Sequence, residues 1–297
     1  DFDISVKVDS FQAPSDGWAK AGLMVREGNA EGNQIGNARH FSTQTQRLDS
    51  PGNSSFWSSW RTATGGNVSD NTAATYGTLT FPHWQRIVSV DGIFYSLIST
   101  DGEKWNLLAA IDTKLWEGGV LGSENPLYVG MWVTSHNSNS NDATASFSDL
   151  ELSVGYVPME IIIQPTSVTT VAGARASIRA LAIGTDINLQ WFKNGEALED
   201  FTGSSFYCYA TPWDAGDYHL AVYQNNGFIL SDVVTLTVNP ATEPNAVQAW
   251  VYDNPNPGNL DKVKAAFRNY TNPNLVLYLT QYLETPTDRA DNYCSSI

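Results

Sequence analysis

Paired carboxylates are the first residues in this sequence whose type and spacing could do chemistry. A glycoside hydrolase needs two carboxyl groups roughly 5–10 Å apart, on either side of the bond that it cleaves. Carboxylates at positions i and i+2 of one strand share a face, as Asp1 with Asp3 or Asp149 with Glu151 would. The better-spaced pair, Asp149 with Glu151, has no third carboxylate beside it. We therefore expect neither pair to be catalytic.

The histidines do not complete a catalytic site either. The chain has four, His40, His83, His136 and His219, and no serine lies in a nucleophile-elbow context. No His-Glu-x-x-His motif, phosphate-binding loop or dinucleotide fingerprint occurs. We expect the four histidines to be surface or loop residues, and we expect the protein not to be an enzyme.

Tryptophan and arginine favour sugar binding, because aromatic faces stack on pyranose rings and polar side chains bind the hydroxyls. Seven of the ten tryptophans precede residue 157, more than one sandwich core needs. Two of them, Trp57 and Trp60, are three positions apart, so on an unbulged strand they face opposite sides. The predicted carbohydrate-binding residues are Arg26, Trp57, Trp60, Arg61, Trp84, Arg86 and His136. The alternative is that these tryptophans are only core or domain-contact residues.

Some loops could bind a cation or carry a covalently attached glycan. Asn139, Asn141 and Asp142 form an oxygen-rich loop without EF-hand spacing, so we expect no cofactor and keep calcium as an alternative. Three Asn-x-Ser/Thr sequons, at Asn53, Asn67 and Asn269, predict surface loops that a glycosylating host would modify.

The two cysteines, Cys208 and Cys294, are too few for a disulfide framework and are not spaced as a metal site. They allow either one bridge or two unrelated thiols. Both readings stay open.

Charge excludes several classes of partner. Lys+Arg number 16 against 31 Asp+Glu, which gives a net charge of −15. Binding to nucleic acid or to an anionic membrane surface needs clustered basic side chains. No apolar run reaches about 18 residues, so we expect no direct membrane insertion. With 16% charged residues, the composition is typical of extracellular all-β proteins.

Alternating polar and apolar residues predict strands throughout residues 1–157, as in 1–8 (DFDISVKV) and 18–26 (WAKAGLMVR). Further strands are predicted at 56–61, 85–90, 94–99, 127–134 and 143–154, with a two-residue hairpin turn at Asp91-Gly92. Many short strands between turns indicate a sandwich.

Residues 158–239 hold about seven more short strand candidates, with Trp191 in the middle and a tyrosine-corner pattern ending at Tyr218. Residues 240–297 differ, because Leu260, Val263 and Phe267 fall at helical spacing and 275–282 is an apolar run of uncertain type. This tail is short for a core of its own. We expect a partial third module or a docking tail.

The first segment resembles concanavalin-A-like (laminin-G-like) jelly-roll domains of secreted bacterial proteins. The resemblance is carried by residues 18–27 (WAKAGLMVRE), Arg61 with Gly65-Gly66, 84–86 (WQR), 99–105 (STDGEKW) and 128–137. Residues 99–105 also resemble an Asp-box, whose Asp caps a hairpin, whose Gly has positive φ and whose Trp covers the turn. The family has further strands before the position of Asp1, which implies that the chain starts inside its domain or that the missing edge comes from elsewhere.

The second segment is similar to bacterial immunoglobulin-like domains, with Trp191 as core tryptophan and Tyr218 as corner tyrosine. Ala180 and Leu220 stand at the family's disulfide positions, which implies a core held by packing, with Cys208 pointing outward. Residues 282–293 (YLETPTDRADNY) are similar to the opening of protective-antigen-like β-sandwich modules.

These observations predict an all-β protein. Its parts are an antiparallel jelly-roll sandwich (1–157), an immunoglobulin-like sandwich (158–239) and a short mixed C-terminal segment (240–297). The predicted function is a non-catalytic adhesion or glycan- or matrix-binding region of a larger secreted or cell-surface protein. One alternative is a subunit of an extracellular filament or sheath, whose partners are copies of itself joined by strand addition. A second is an accessory region of a glycoside hydrolase.

Overall fold

The computed structural model describes residues 1–13, 17–29, 31, 33, 36–47, 54–71, 80–136, 143–225, 227–240, 250–252 and 278–280. The chain divides into two compact units, of which the first is Asp1–Pro158 with Ile183–Thr185 and the second is Met159–Ala182 with the residues from Asp186 onward. Most of the described residues lie in strands, and most of the strand pairs are antiparallel. The prediction of an all-β protein is confirmed.

The first unit contains ten strands in two five-stranded sheets. The strands are β1 (Phe2–Gln12), β2 (Lys20–Glu27), β3 (His40–Arg47), β4 (Ser54–Arg61), β5 (Ser69–Asn71), β6 (His83–Val90), β7 (Ile93–Ser99), β8 (Asn106–Asp112), β9 (Leu127–Thr134) and β10 (Thr144–Val154). One sheet has the order β10-β1-β6-β7-β8 and the other β5-β4-β3-β2-β9. A 3-10 turn, Thr113–Leu115, follows β8.

Alternation decides which side chains of the first unit are buried. In β1 the apolar positions Phe2, Ile4, Val6 and Val8 face the core, and the residues between them are partly exposed. The core also contains polar contacts between the sheets, because Thr45 Oγ1 lies 2.7 Å from His83 Nε2. The two sheets are therefore joined by hydrogen bonds as well as by apolar packing.

Local signals predicted several of these elements. The Asp91-Gly92 hairpin is confirmed, since β6 pairs with β7 from Val90 opposite Ile93 and both turn residues have positive φ. Three strands of this unit were not predicted, the central β3 and the edge strands β5 and β8. The sequence of β3 (HFSTQTQR) has few apolar residues and gives almost no hydrophobic alternation.

The second unit contains strands of the second sandwich and one 3-10 turn, Pro212–Asp214. The strands are β11 (Glu160–Ile163), β12 (Val168–Val171), β13 (Arg175–Arg179), β14 (Leu181–Ile183), β15 (Asn188–Lys193), β16 (Glu196–Ala197), β17 (Ser205–Tyr209), β18 (Gly216–Gln224), β19 (Gly227–Leu230) and β20 (Val234–Asn239). The largest sheet runs β12-β20-β18-β15-β16, with β19 also paired to β18.

Trp191 and Tyr218 are both fully buried in this unit, as predicted. Trp191 Nε1 donates to Gly203 O at 3.0 Å, and the Tyr218 hydroxyl donates to Asp214 O at 2.7 Å, four residues upstream. Burial, followed by the nearby Asp214 carboxylate, raises the pKa of the Tyr218 hydroxyl. The hydroxyl therefore stays protonated and acts as a fixed donor in the corner.

The predicted outward orientation of Cys208 is wrong. Cys208 is 1% exposed and belongs to the core cluster with Phe206 and Ala210, whereas Tyr207 lies on the other face. The phase of alternation in β17 is set by its pairing with β13, where Cys208 lies opposite the buried Ala176. Cys208 is free among the described residues, and Cys294 lies outside them, so a bridge between the two stays a prediction.

Residues 240–297 are described only in two short strands, β21 (Trp250–Tyr252) and β22 (Tyr278–Thr280), which pair in parallel. The helical pattern of 260–270, the similarity at 282–293 and the sequon at Asn269 lie outside the described residues. No helix among the described residues is long and apolar enough to span a membrane.

Candidate functional site

A cleft of about 450 Å³ lies on the face of the β5-β4-β3-β2-β9 sheet that points away from the core. Side chains from all five strands line it, together with Trp18 and His136 at its rim. The residues of β3 on this face, His40, Gln44 and Gln46, are each less than 7% exposed. The cleft thus has a polar floor whose side chains are shielded from solvent.

Two tryptophans stand in one cross-strand row of this cleft. The register places Trp132 of β9 beside Gly22 of β2, Gly22 beside Gln44 of β3, and Gln44 beside Trp57 of β4. Neighbouring strands are about 4.8 Å apart, so the backbones of the two tryptophans are separated by roughly 14 Å. The row therefore presents two indoles with one glutamine and a bare glycine between them.

Gly22 is the one residue that fits its position in the row. A Cβ there would overlap Gln85 Oε1, a buried side chain of the opposite sheet, and the Thr43 carbonyl oxygen, and would lie 2.8 Å from Gln44 Cα. Because two of these three atoms belong to the backbone, they cannot move aside easily. Close packing of β2 on β3 and against Gln85 thus explains the glycine.

Two buried polar atoms of the cleft have no hydrogen-bond partner among the described residues. They are Gln46 Oε1, an acceptor, and Trp132 Nε1, a donor. Gln46 is 3% exposed and lines the cleft, as does Trp132. An unsatisfied buried polar group costs about 1–3 kcal/mol, so the donor and the acceptor could each bind a hydroxyl group that reaches them.

The neighbouring polar floor is already held in place. Gln44 Oε1 accepts hydrogen bonds from Ser42 Oγ at 3.0 Å and from Ser59 Oγ at 3.3 Å, and the two serine hydroxyls are 2.8 Å apart. This network fixes the amide of Gln44 between the two tryptophans. A ligand would therefore meet a pre-organised amide there.

A charged row crosses the same strands farther along the sheet. Arg26 of β2 lies opposite His40 of β3, and His40 lies opposite Arg61 of β4. Arg61 donates to Gly66 O at 2.9 Å and to Ala38 O at 3.0 Å, and Arg26 donates to Gly36 O. Backbone carbonyls of the adjoining loops thus orient both guanidinium groups.

The electrostatics of this row keep His40 neutral. Burial, and then the charges of Arg61 and Arg26, lower the pKa of His40 to about 4. Burial and the charge of Arg26 also lower the pKa of Arg61. Near neutral pH, the row is therefore two guanidinium cations on either side of an uncharged imidazole.

The rim of the cleft is aromatic and basic. The rings of Trp18 and His136 are 6.2 Å apart, and Lys20 Nζ lies 5.5 Å from the Trp18 ring centroid. His136 has positive φ and follows the end of β9, while Trp18 precedes β2. Pairing of these two strands brings the two rim residues together.

The structure divides the predicted carbohydrate-binding residues into two groups. Arg26, Trp57, Arg61 and His136 line the cleft. Trp60 does not, because it packs on the core from the opposite face of β4, as the three-residue spacing from Trp57 requires. Trp84 and Arg86 lie on β6 in the other sheet and do not line the cleft.

Trp84 and Arg86 contact other residues of the first unit. Arg86 forms a bidentate ion pair with Asp3, at 2.9 and 2.6 Å, and its guanidinium carbon lies 5.3 Å from the centroid of the Trp105 ring. The ring of Trp84 lies beside Gly102 in the turn after β7, where a Cβ on the glycine would be 3.1 Å from the indole.

The Asp-box turn itself has the expected geometry. Asp101 Oδ1 accepts hydrogen bonds from the backbone N–H groups of Glu103 and Lys104 at 2.9 and 2.8 Å, and Gly102 has positive φ. These backbone bonds, together with the Ser99 hydroxyl, lower the pKa of Asp101 to about 2.

The expectation that all four histidines are surface or loop residues is wrong for two of them. His40 and His83 are buried in strands, at 6% and 0% exposure, and are neither surface nor loop residues. Burial lowers the pKa of His83 to about 4 as well. Their burial follows from sheet pairing, since His83 faces Thr45 across the core.

The carboxylate pairs do not enter the cleft. Asp149 and Glu151 lie exposed on β10, where a bulge interrupts the pairing with β1 and gives Asp149 positive φ. Asp3 is paired with Arg86. Among the described residues that line the cleft, Asp70 is the one carboxylate.

The remaining predictions concern ions and glycans. No cluster of three or more His, Cys, Asp or Glu residues that could hold a metal occurs among the described residues. The loop with Asn139, Asn141 and Asp142 lies outside them, as does Asn53. The sequon at Asn67 lies in an exposed loop between β4 and β5.

Several cleft residues were not predicted. They are Lys20, His40, Gln44, Gln46, Ser59 and Trp132. One signal was present in β3, where polar residues recur at every second position, 40, 42, 44 and 46. The face of this strand that points away from the core is polar. Its sequence does not show that neighbouring elements bury that face as the floor of a cleft.

Comparisons with known proteins leave the family open. No protein-family model matches the chain, and no curated protein sequence matches it. Solved structures with a similar stretch include a chimeric titin Z1Z2 functionalized with a KLER peptide from decorin (20% identity, 29% of this chain, 99% of that chain, TM-score 0.26). Another is Duf (Kirre) D1 (20%, 28% and 99%, TM-score 0.26). A third is a functionally unknown protein from Saccharomyces cerevisiae (20%, 51% and 68%, TM-score 0.37). These likenesses are too distant to carry an argument about function.

Proposed function

We propose that the first unit binds saccharides in the cleft on its β5-β4-β3-β2-β9 sheet. The observation that carries this proposal is the open donor and acceptor, Trp132 Nε1 and Gln46 Oε1, buried in a cleft that contains two tryptophans in one row. Stacking on indole faces and hydrogen bonding to hydroxyls are the two interactions by which a pyranose is held.

The chain is then a non-catalytic adhesion or glycan- or matrix-binding region of an extracellular or cell-surface protein. Asp70 as the one carboxylate among the described lining residues supports a binding role, because hydrolysis of a glycoside needs two. Its charged content of 16% fits an extracellular setting. The alternative of an accessory region of a glycoside hydrolase gains no further support from the cleft.

The proposed families follow from the same features. Two five-stranded antiparallel sheets, one carrying the Asp-box turn, support a concanavalin-A-like jelly roll for residues 1–157. The buried Trp191 and the tyrosine corner support an immunoglobulin-like domain for residues 158–239. A protective-antigen-like module at the end of the chain stays a proposal from sequence alone.

A glycan array probed with the full chain, followed by calorimetric titration of the best saccharide, tests the proposal. Replacing Trp57 by Ala removes one stacking surface, so we expect affinity to fall about 10- to 30-fold. Trp213→Ala is the matched control, because Trp213 is an exposed tryptophan of the second unit. Absence of saccharide binding, or equal binding by the Trp57→Ala variant, would contradict the proposal.

A second candidate function, self-assembly by strand addition, is favoured by the edges of the first unit. Among the described strands, β10 and β9 each end a sheet, and Leu150, Leu152 and Val154 of β10 are at least half exposed. A long apolar edge strand is a template for pairing. The proposed occupant is β10 of a second copy, because an antiparallel pair about a twofold axis is self-complementary.

Light scattering of the full chain tests this second function. We expect assemblies of 32.5 kDa units that dissociate in Leu152→Lys, since a lysine on an edge blocks strand pairing. Thr235→Lys, on a strand of the second unit, is the control for added charge. A monomer at every concentration would contradict self-assembly.

A further inference from the structure

The charge of the cleft is opposite to that of the whole protein. The chain has a net charge of −15, yet the described residues that line the cleft include three cations, Lys20, Arg26 and Arg61, and one carboxylate, Asp70. A positive site on an acidic protein does not follow from composition. It indicates a local requirement for positive charge.

Arg26 and Arg61 lie on either side of His40 in one cross-strand row. At about 4.8 Å between strands, the two arginine backbones are roughly 10 Å apart, and both side chains line the same cleft. They stand two strands apart, with His40 between them. Burial, and then the charge of Arg26, lowers the pKa of Arg61.

Two other arginines of the same unit show what structural pairing looks like. Arg39 binds both oxygens of Glu27, at 2.7 and 2.6 Å, and Arg86 binds both oxygens of Asp3. Arg61 instead donates to the carbonyls of Gly66 and Ala38, which orient the guanidinium without neutralising it. A planar guanidinium held in this way matches a ligand carboxylate.

We infer that the cleft selects a saccharide bearing a carboxylate, with the anionic group at the Arg26–His40–Arg61 row and a pyranose ring in the Trp132–Gly22–Gln44–Trp57 row. This inference rests on the proposed saccharide-binding function and names its ligand class. Neutral His40 adds a hydrogen-bonding group between the two cations without adding charge. Lys20 and the open atoms of Gln46 and Trp132 meet the hydroxyls of the same ligand.

The test compares acidic saccharides with matched neutral ones by calorimetric titration of the full chain. The probes are an oligogalacturonate against its methyl ester, sialyllactose against lactose, and a sulfated oligosaccharide against its desulfated form. We expect at least one carboxylated probe to bind about tenfold or more tightly than its neutral partner, as a charge-assisted hydrogen bond would give. Added salt should weaken that binding and leave the neutral partner unchanged.

Substitutions in the cleft show which residues cause the preference for a carboxylated saccharide. Arg61→Gln should lower affinity for the carboxylated probe about tenfold or more without changing affinity for its neutral partner. Arg61→Lys should recover part of the loss, because it keeps the charge but not the fork. Arg179→Gln makes the same charge change on an exposed strand position of the second unit and should have no effect. If Arg61→Gln fails to fold, Arg26→Gln, at the other arginine of the row, provides the same comparison.

The outcomes separate this inference from the function on which it rests. Equal or tighter binding of the neutral partners, still dependent on Trp57, would overturn the carboxylate preference and leave saccharide binding in place. Preference for the sulfated probe over every carboxylated one would also overturn it. Absence of any Trp57-dependent saccharide binding would overturn both.

Discussion

The interiors of the two units are built from different side chains. The second unit packs around Trp191, Phe206 and Tyr218, and its tyrosine corner is a single buried hydrogen bond to a backbone carbonyl. The first unit buries polar side chains between its sheets, such as His83, Thr45 and Gln85, and more of them under its cleft. An apolar interior stabilises by packing alone, whereas a polar one must satisfy each buried group.

The polar residues of the first unit continue from the core through β3 to the cleft floor, so the same strand contributes to the core with one face and to the cleft with the other. The second unit has no comparable strand among its described residues.

Truncating the central tryptophan of the second unit should have the largest effect. Trp191→Ala leaves a cavity in an apolar core, and we expect the free energy of unfolding of this unit to fall by about 3–5 kcal/mol. Calorimetric melting of the full chain would show it as a lower transition temperature. Trp213→Ala, at a 55% exposed tryptophan of the same unit, should change stability by about 0.5 kcal/mol or less. Equal effects of the two variants would show that the second unit is not organised around Trp191.

Acid should weaken the first unit through its two buried histidines. His40 and His83 have pKa values of about 4 in the fold, against 6.5 for a free histidine. Between these pH values the unfolded chain binds protons that the folded unit does not. The contribution of the two neutral histidines to the free energy of unfolding is therefore complete above about pH 6.5. It is lost as the pH falls towards 4, by on the order of 3 kcal/mol for each histidine.

Urea unfolding of the full chain at a series of pH values from neutral to about 4 measures this loss. The double variant His40→Gln with His83→Gln should have a smaller pH dependence in that window, and carboxylate protonation should account for what remains. An unchanged slope in the double variant would mean that the two histidines are not the groups that couple this unit to pH.

Adding one methyl group under the cleft should give the smallest effect. Gly22→Ala places a Cβ 2.8 Å from Gln44 Cα and onto the Thr43 carbonyl, so we expect a loss of about 1–3 kcal/mol in the first unit. Gly130→Ala on β9 is the matched control, because a Cβ there meets no heavy atom within 4 Å. Chemical denaturation compares the two, and a tolerated Gly22→Ala would show that β2 and β3 are less tightly packed than described.

Features that depend on hydrophobic alternation within a strand or on the residues of one turn could be predicted from the sequence. Alternation located β1, β2 and β4, Asp91-Gly92 located a hairpin, and the three-residue spacing of Trp57 and Trp60 placed them on opposite faces. Trp191 and Tyr218 were recognised because their surroundings in sequence are distinctive. In each case the physical cause acts within a few residues.

Which residues line the cleft could be learned from the tertiary structure alone. Arg26 and Arg61 are neighbours of His40 because β3 pairs with β2 on one side and β4 on the other, and Trp132 reaches the row of Trp57 through the pairing of β9 with β2. The inward orientation of Cys208 and the removal of Arg86 to the other sheet have the same origin. Register joins residues far apart in the chain, and the spacing of residues within one strand carries no record of which strand will lie beside it.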